Sequence, residues 1–268
     1  MTLGEKCAEI LVRIRQKRPL VHHITNIVVA NDNANTMLAL GALPVMAYAR
    51  EEVEEMVTGA EALVLNLGTP TEDIIKSALL AGKKANALGI PVILDPVGAG
   101  ATRFRKEAAL LLLERVRVTI VRGNAAEACA LLGRPSRERG VESKAEAENQ
   151  ALLAREVALK FGVTAAITGA VDYVSDGKRI VAVHNGHPLL TRVTGTGCMA
   201  TSLCGAFAAV ESDALLASLG ALGFLGVCAE RAIRDSQGPG SFRMRLFDVM
   251  YSLSEDDFAR NLSFEVLQ

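Results

Sequence analysis

Residues 195–198 read Gly-Thr-Gly-Cys, and this segment carries the clearest chemical signal in the chain. Two glycines let the backbone approach a ligand closely, and the free N–H groups at the start of the helix that follows favour an anion. The segment therefore predicts a phosphate site around Gly195 and Gly197, with the Cys198 thiol beside it. A tight turn that uses glycine only for steric reasons stays open as the alternative.

Two common nucleotide-binding motifs do not account for this segment. Gly195, Gly197 and Ala200 match a loose dinucleotide fingerprint, but that fingerprint belongs behind the first apolar strand, and here it follows residues 188–192 late in the chain. No Gly-x-x-x-x-Gly-Lys-[Ser/Thr] sequence occurs, which excludes a P-loop on motif grounds.

Two carboxylates follow apolar runs at positions that suit a metal-bound phosphate. Asp95 comes directly after the run 91–94, and Glu127 lies one helical turn beyond residues 122–124, which follow the run 118–121. Ligands of open parallel sheets bind at the carboxyl ends of the strands, and magnesium is often held by one or two carboxylates plus phosphates. We expect Asp95 and Glu127 to organise magnesium, with a salt-bridge or helix-dipole role as the alternative.

Arg122 and Thr168 stand at two further strand ends. A guanidinium at such a position can clamp a phosphate in a bidentate manner, although ordinary ion pairing is the alternative for Arg122.

Near the start, residues 22–26 read His-His-Ile-Thr-Asn. Adjacent residues of a strand point to opposite faces, so His22 and His23 cannot readily share a metal ion. We interpret Asn26 as a group that hydrogen-bonds a substrate or caps a helix. Met46 is either a core residue or flexible apolar surface for a small flat ring.

Apolar runs alternate with segments of helical periodicity along the first two thirds of the chain. The runs are 63–67, 91–94, 118–121 and 163–168, and the helical segments are 52–57, 74–88, 106–116 and 152–161. This alternation predicts an α/β layered fold whose parallel sheet is covered on both faces. The Asp176-Gly177 pair between two short apolar segments predicts an antiparallel hairpin at the edge.

Two helices rich in Ala, Gly and Leu are predicted over 199–210 and 215–233, and the apolar stretch 214–229 is too short for a membrane helix, so we expect it to be buried. A capping box at Thr2 and Glu5 predicts an N-terminal helix in place of a signal peptide. The polar stretch 134–148 is expected to be an exposed connection.

The composition favours one soluble domain over residues 1–268, of which 50% are apolar. Lys plus Arg (29) nearly balances Asp plus Glu (30), and aromatic residues make up only 4%, so neither nucleic acid nor a membrane surface is an expected partner. The five cysteines form no Cys-x-x-Cys pair, which fits a reducing cytoplasm.

Taken in order, these residues resemble the hydroxyethylthiazole kinases, a branch of the ribokinase-like superfamily. The resemblance runs almost from end to end. It is carried by His22-His23-Ile24-Thr25-Asn26, Asn31-Asp32-Asn33-Ala34-Asn35, Pro44-Val45-Met46, Leu65-Asn66-Leu67-Gly68-Thr69, Leu94-Asp95-Pro96-Val97-Gly98-Ala99, Arg122-Gly123-Asn124-Ala125-Ala126-Glu127 and Gly195-Thr196-Gly197-Cys198. The resemblance implies a layered α/β/α ribokinase-like fold.

The resemblance also implies phosphorylation of the primary alcohol of 4-methyl-5-(2-hydroxyethyl)thiazole by ATP with Mg²⁺, in thiamine biosynthesis and salvage. The implied roles are ATP contacts for Arg122, Thr168 and Gly197, metal organisation for Asp95 and Glu127, thiazole contacts for Asn26, Met46 and Gly195, and a catalytic position for Cys198. A homotrimer with sites between subunits is implied, in which Asn26 and Met46 serve a neighbour's Cys198.

Cys198 stands where most ribokinase-like enzymes carry an aspartate base. A helix N-terminus lowers the pKa of a thiol and nearby phosphates raise it, so sequence alone leaves its role as a base open. Two other functions fit these residues less well. The dehydratases that repair hydrated nicotinamide cofactors share the fold but carry the aspartate, and a nucleotide sensor without catalysis would have lost ligands such as Asp95 and Glu127.

Overall fold

The structure is a computed structural model that describes residues 1–134 and 144–268, of which residues 144–149 are described by their backbone only. Within these ranges the strands are β1 (Leu20–Ile24), β2 (Leu43–Met46), β3 (Ala62–Asn66), β4 (Val92–Asp95), β5 (Ile120–Asn124), β6 (Thr164–Thr168), β7 (Asp172–Ser175), β8 (Ile180–Val183) and β9 (Phe264–Val266). The α-helices are α1 (Leu3–Lys17), α2 (Ala30–Leu40), α3 (Val53–Thr58), α4 (Glu72–Leu88), α5 (Arg103–Arg115), α6 (Ala125–Leu132), α7 (Lys144–Phe161), α8 (Thr196–Ala208), α9 (Ala214–Ala232), α10 (Pro239–Ser252) and α11 (Glu255–Asn261).

The strands form one sheet in the order β2-β1-β3-β4-β5-β6-β7-β8-β9. Strands β1 to β6 pair in parallel, and β6 to β9 pair antiparallel. The predicted mostly parallel sheet with an antiparallel hairpin is therefore confirmed. The three-residue strand β9 pairs outside the hairpin and was not predicted, because so short a segment has no apolar run of its own.

Both faces of the sheet are covered, and side-chain alternation along each strand divides the core in two. On β3, Val64 faces the cluster formed with α8 and α9, whereas Leu63 and Leu65 face the opposite cluster. Helix α8 lies directly on the sheet, because a Cβ at Gly205 would lie 2.8 Å from Val64 Cγ2. The predicted three-layer arrangement is confirmed.

Most element boundaries agree with the sequence pattern. Thr2 and Glu5 form the predicted capping box of α1. Strand β5 extends further than predicted, because Arg122 and Asn124 pair in register with β6. Within the predicted connection 134–148, residues 135–143 lie outside the described residues, and the prediction is wrong for residues 144–148, which belong to α7.

In the described part of the chain, one helical stretch, Ala214–Asp235, is long and apolar enough to cross a membrane by length and composition. However, 83% of its apolar window is buried inside the fold. It is therefore a core helix, as the sequence predicted.

Candidate active site

The carboxyl ends of β3, β4 and β5 bring polar side chains into one buried group. Asn66 and Asp95 are partners in the sheet register, and Asn66 Nδ2 donates to Asp95 Oδ2 at 2.7 Å. Arg122 lies on the next strand, with Nη1 3.9 Å from the same oxygen. Thr201 of α8 donates to it as well, at 2.7 Å. These four residues form a polar cluster at the sheet edge where the sequence predicted a ligand.

Asp95 is only 1% exposed, and its two carboxylate oxygens differ in their surroundings. Burial raises the pKa of this carboxyl above its usual range, and the Arg122 guanidinium opposes the increase. Oδ2 accepts two hydrogen bonds, whereas Oδ1 is buried and has no hydrogen-bond partner among the described residues. A buried carboxylate oxygen without a partner is costly, so the site suits a cation or a further donor.

Helix α8 begins with an uncapped turn. Gly195 has φ 87°, in the left-handed region that favours glycine, and a Cβ there would lie 2.6 Å from Val29 Cγ1. No side chain caps this helix end, so the N–H groups of the first turn lack intrahelical partners. Gly197 lies against Arg122, since a Cβ at Gly197 would lie 2.8 Å from Nη1. The amides and the guanidinium together offer an anion several donors.

Cys198 occupies the third position of this helix, and two asparagines donate to its sulfur. Asn66 Nδ2 lies 3.3 Å from Sγ and Asn26 Nδ2 lies 3.6 Å from it. Burial raises the pKa of the Cys198 thiol to about 11, and the charge of Asp95 acts in the same direction. Burial therefore favours the neutral thiol of Cys198 at neutral pH. Asn26 reaches Cys198 within one chain, so no neighbour is needed to bring these two together.

Arg122 also contacts the strand on its other side, and a cavity opens there. Arg122 Nη2 donates to Thr168 Oγ1 at 2.6 Å. The cavity has a volume of about 490 Å³, which is within the usual range of small-molecule sites. Its lining includes Arg122, Thr168, Gly197, Pro188, Leu222 and Leu225. A cavity that combines a guanidinium with apolar side chains suits a nucleotide, which has charged phosphates and an apolar base.

Glu127 has a structural role that its sequence position already allowed. It forms a capping box with Asn124 at the start of α6, in which Oε2 accepts from Asn124 N at 2.8 Å. Oε1 accepts from Gly98 N at 2.9 Å, which ties the loop after β4 to this helix. Each carboxylate oxygen can accept a further bond, so these contacts leave room for metal-bound water. The described residues contain no group of three or more His, Cys, Asp or Glu that could hold a metal ion.

The residues from β1 and β2 divide between the core and the cluster. His22 Nε2 contacts Ala47 O at 2.9 Å, whereas His23 Nε2 contacts Ser202 Oγ of α8 at 3.1 Å. Their partners confirm that the two rings point to opposite sides. Met46 is half-buried at the end of β2, opposite His23, and takes no part in the polar cluster.

Sequence reasoning did not single out three residues of this region. Asn66 ends an apolar strand, so the rule that identified Asp95 applies to it equally. Thr201 lies one helical turn after Gly197 and carries no signal of its own. Asp172 lines the cavity, accepts from Gly169 N at 2.9 Å, and has a pKa that burial raises to about 6.

Comparisons with known proteins give one consistent result. The family model described as hydroxyethylthiazole kinase family matches residues 11–256. A hydroxyethylthiazole kinase of Moorella thermoacetica is 50% identical over 267 residues, which are 100% of each chain.

Solved structures agree with this result. The structure of a hydroxyethylthiazole kinase protein from Pyrococcus horikoshii OT3 superposes with a TM-score of 0.92 at 46% identity, covering 98% of this chain and 99% of that one. A pyridoxal kinase of Bacillus subtilis in an ADP complex has a TM-score of 0.60 at 18% identity, covering 80% of this chain and 92% of that one, and shares the fold alone.

Proposed function

This chain belongs to the hydroxyethylthiazole kinase family, and we propose that the cleft between the strand ends and α8 is where ATP phosphorylates the hydroxyl of 4-methyl-5-(2-hydroxyethyl)thiazole. The reaction is a step of thiamine salvage. The observation that carries the proposal is the meeting of the uncapped first turn of α8 with Arg122, beside a cavity of suitable size for a nucleotide.

We propose that Arg122, Thr168 and Gly197 bind the phosphates of ATP. Arg122 is oriented by its hydrogen bond to Thr168 and lies against Gly197, so its guanidinium is held in place before ATP arrives. The apolar lining of the cavity, which includes Leu222 and Leu225, then accommodates the flat base. Preordered donors of this kind favour a transferring phosphoryl group.

Magnesium fits the carboxylates of this site. Asp95 offers the unpartnered Oδ1, and Glu127 offers oxygens that are already oriented by backbone N–H groups. We propose that Asp95 and Glu127 organise the ion and its waters, as hard oxygen ligands do for magnesium. When bound, the ion neutralises phosphate charge. Within the chain itself, Asn66 and Thr201 orient Asp95, and Arg122 stabilises its ionised form.

The acceptor alcohol is proposed to lie between Asn26, Gly195 and Cys198, with Met46 against the thiazole ring. Cys198 is a neutral thiol whose sulfur accepts hydrogen bonds from Asn26 and Asn66, so it offers no thiolate to take the alcohol's proton. Phosphoryl transfer passes through a loose transition state that needs positioning and charge stabilisation more than early deprotonation. Cys198 therefore acts by orienting the hydroxyl, because a neutral thiol has no site for the alcohol's proton. That proton passes to an oxygen of the transferred phosphate as the new P–O bond forms and the bond to ADP breaks.

We propose that the enzyme is a homotrimer in which Met46 completes the site of a neighbouring subunit. Two large apolar residues directly after Asn26 support a subunit contact near the site, since Ile27 is 82% exposed and Val28 is 63% exposed. Met46 lies on β2, the outermost strand of the sheet, away from the polar cluster of its own chain. This position is consistent with a contact to the substrate of a neighbouring subunit.

The proposed location is the cytoplasm. All five cysteines are free thiols, three of them buried, which is the state expected in a reducing compartment.

The test of the proposed function is direct. The purified protein is incubated with ATP, MgCl₂ and the thiazole alcohol, and the phosphorylated thiazole is detected by its mass. Pyridoxal serves as the competing alcohol, because a kinase that shares the fold acts on another flat heteroaromatic ring. Phosphorylation of pyridoxal in preference to the thiazole, or of neither, would contradict the proposed substrate.

A further inference from the structure

Asn66, at the end of β3, is the hydrogen-bonding centre of the candidate site. It is 3% exposed, and both ends of its side-chain amide are fully used. Nδ2 donates to Asp95 Oδ2 at 2.7 Å and to Cys198 Sγ at 3.3 Å. Oδ1 accepts from Asn26 Nδ2 at 2.8 Å and from Gly68 N at 2.9 Å.

These four bonds permit only one orientation of the amide. Rotating the group by 180° would place its oxygen against the acceptors Asp95 Oδ2 and Cys198 Sγ, and its nitrogen against the two donors. One side chain therefore sets the spacing of three groups that belong to β4, to α8 and to the loop after β1. The sheet alone cannot do this, because α8 is far from β3 in sequence and only packs on its face.

The turn that follows Asn66 is itself held rigidly. Arg105 of α5 donates to Leu67 O at 2.7 Å and to Gly68 O at 2.8 Å. Gly68 also leaves the space that Asn26 occupies, because a Cβ at Gly68 would lie 2.5 Å from Asn26 Nδ2 and 2.8 Å from Asn26 Cβ. The geometry around Asn66 is thus fixed from the strand, from the turn and from the helix.

We infer that Asn66 is a positioning residue that holds Asn26, Cys198 and Asp95 in the relative geometry needed for phosphoryl transfer to the alcohol. The inference rests on the proposed function. Asn66 acts through these three residues. Its hydrogen bonds in the described part of the chain do not include Arg122 or Thr168, which line the nucleotide cavity. Its loss is therefore expected to lower turnover while nucleotide binding stays intact.

The experiment compares Asn66→Leu with Asn86→Leu as a matched control. Leucine has the same branching and number of side-chain heavy atoms as asparagine, and it removes every side-chain hydrogen bond. Asn86, near the end of α4, also uses both ends of its amide, donating to Arg117 O at 2.9 Å and accepting from Arg117 N at 2.7 Å. Arg117 precedes the amino end of β5, whereas the candidate site lies at the carboxyl ends of the strands. For each variant, kcat and KM for the thiazole are measured at saturating ATP and magnesium. The Kd for ADP is measured by calorimetry without metal, together with the thermal midpoint.

Asn66→Leu is expected to lower kcat about 10- to 100-fold, the range for losing a buried hydrogen bond to a charged group, with the Kd for ADP changed by less than about twofold. Asn86→Leu is expected to leave kcat and Kd near the wild-type values. A kcat for Asn66→Leu within about threefold of the control overturns the inference. So does an equal weakening of ADP binding, which indicates a general distortion of the cleft.

Gly68→Ala tests the same geometry without removing a core side chain, and it decides the matter if Asn66→Leu does not fold. The new Cβ must push Asn26 away from Asn66, so the KM for the thiazole should rise about fivefold or more while the Kd for ADP is unchanged. An unchanged KM overturns the inference. Failure of the wild-type protein to phosphorylate the thiazole would instead contradict the proposed function, so the two failures are distinguishable.

Discussion

Replacement of Gly197 by alanine should weaken ATP binding without destabilising the fold. Its Cβ would lie 2.8 Å from Arg122 Nη1 and 3.2 Å from Nη2, so the guanidinium must retreat by about 0.6 Å to reach ordinary contact. That retreat strains the 2.6 Å bond from Nη2 to Thr168 and moves the charge away from the amides of α8. Partial loss of one charge-assisted hydrogen bond costs about 1.4 kcal/mol, or about tenfold in the Kd for ATP.

The same substitution, Gly197→Ala, should increase the free energy of unfolding although it weakens ATP binding. Gly197 occupies the second position of α8 and has no positive φ, so alanine is tolerated by the backbone and gains up to about 1 kcal/mol of helix propensity. Gly240 occupies the same position of α10, with no atom within 4 Å of an added Cβ. Gly240→Ala is therefore a control that repeats the helix effect without the clash.

The assay measures the Kd for ATP by calorimetry and the thermal midpoint of Gly197→Ala, Gly240→Ala and the wild-type protein. We expect a rise in Kd of about tenfold for Gly197→Ala alone, with neither midpoint lowered. If Gly197→Ala binds ATP as tightly as Gly240→Ala, then Arg122 does not bind the phosphates at this helix start, and the nucleotide assignment is refuted.

Three further predictions concern the metal, the subunits and the thiol. Asp95→Asn should raise the magnesium concentration for half-maximal activity about tenfold. Glu127→Gln should raise it too while costing about 1 kcal/mol of stability, because one amide oxygen cannot accept from both Asn124 N and Gly98 N; an unchanged magnesium titration contradicts both. Mixing the impaired Met46→Ala and Cys198→Ala chains should raise activity above the sum of the two separate variants, because hybrid sites become complete. Asn26→Ala mixed with Cys198→Ala should give no such gain, since Asn26 contacts Cys198 in one chain. No gain with Met46→Ala after verified subunit exchange argues against shared sites. Burial raises the pKa of Cys198 to about 11, so ionisation of this thiol should not change kcat between about pH 6 and about pH 9. Cys198→Ala should lower kcat about tenfold without abolishing it. If kcat instead rises with a pKa near about 8.5, and Cys198→Ala loses that rise, then Cys198 acts as a thiolate base.

The order and type of the main elements could be predicted because they are local properties of the chain. Apolar runs of four to six residues, helical periodicity and glycines at helix ends act over a few residues, and they predicted β3 to β6 and α4 closely. The extension of β5 through Arg122 to Asn124 was missed because it depends on pairing with β6, about 40 residues later in the chain.

The sequence predicted most of the polar residues of the candidate site, but only some of the contacts between them. Strand ends pointed to Asp95 and Arg122, and the glycine pair pointed to the start of α8. Asn66 was not predicted, although it ends a strand as Asp95 does, because a neutral amide at a strand end indicates neither metal nor phosphate binding until its partners are known.

By itself, the sequence determined which elements form and which polar residues lie at their ends, because periodicity and turn formation depend on residues that are close together in the chain. Only the tertiary structure decided which of those residues meet. The register of β3 with β4 places Asn66 beside Asp95, and the packing of α8 on the sheet brings Cys198 to both asparagines from more than 100 positions away. Burial then keeps the thiol protonated, since desolvation depends on every neighbour that surrounds the group and not on the few residues beside it in the chain.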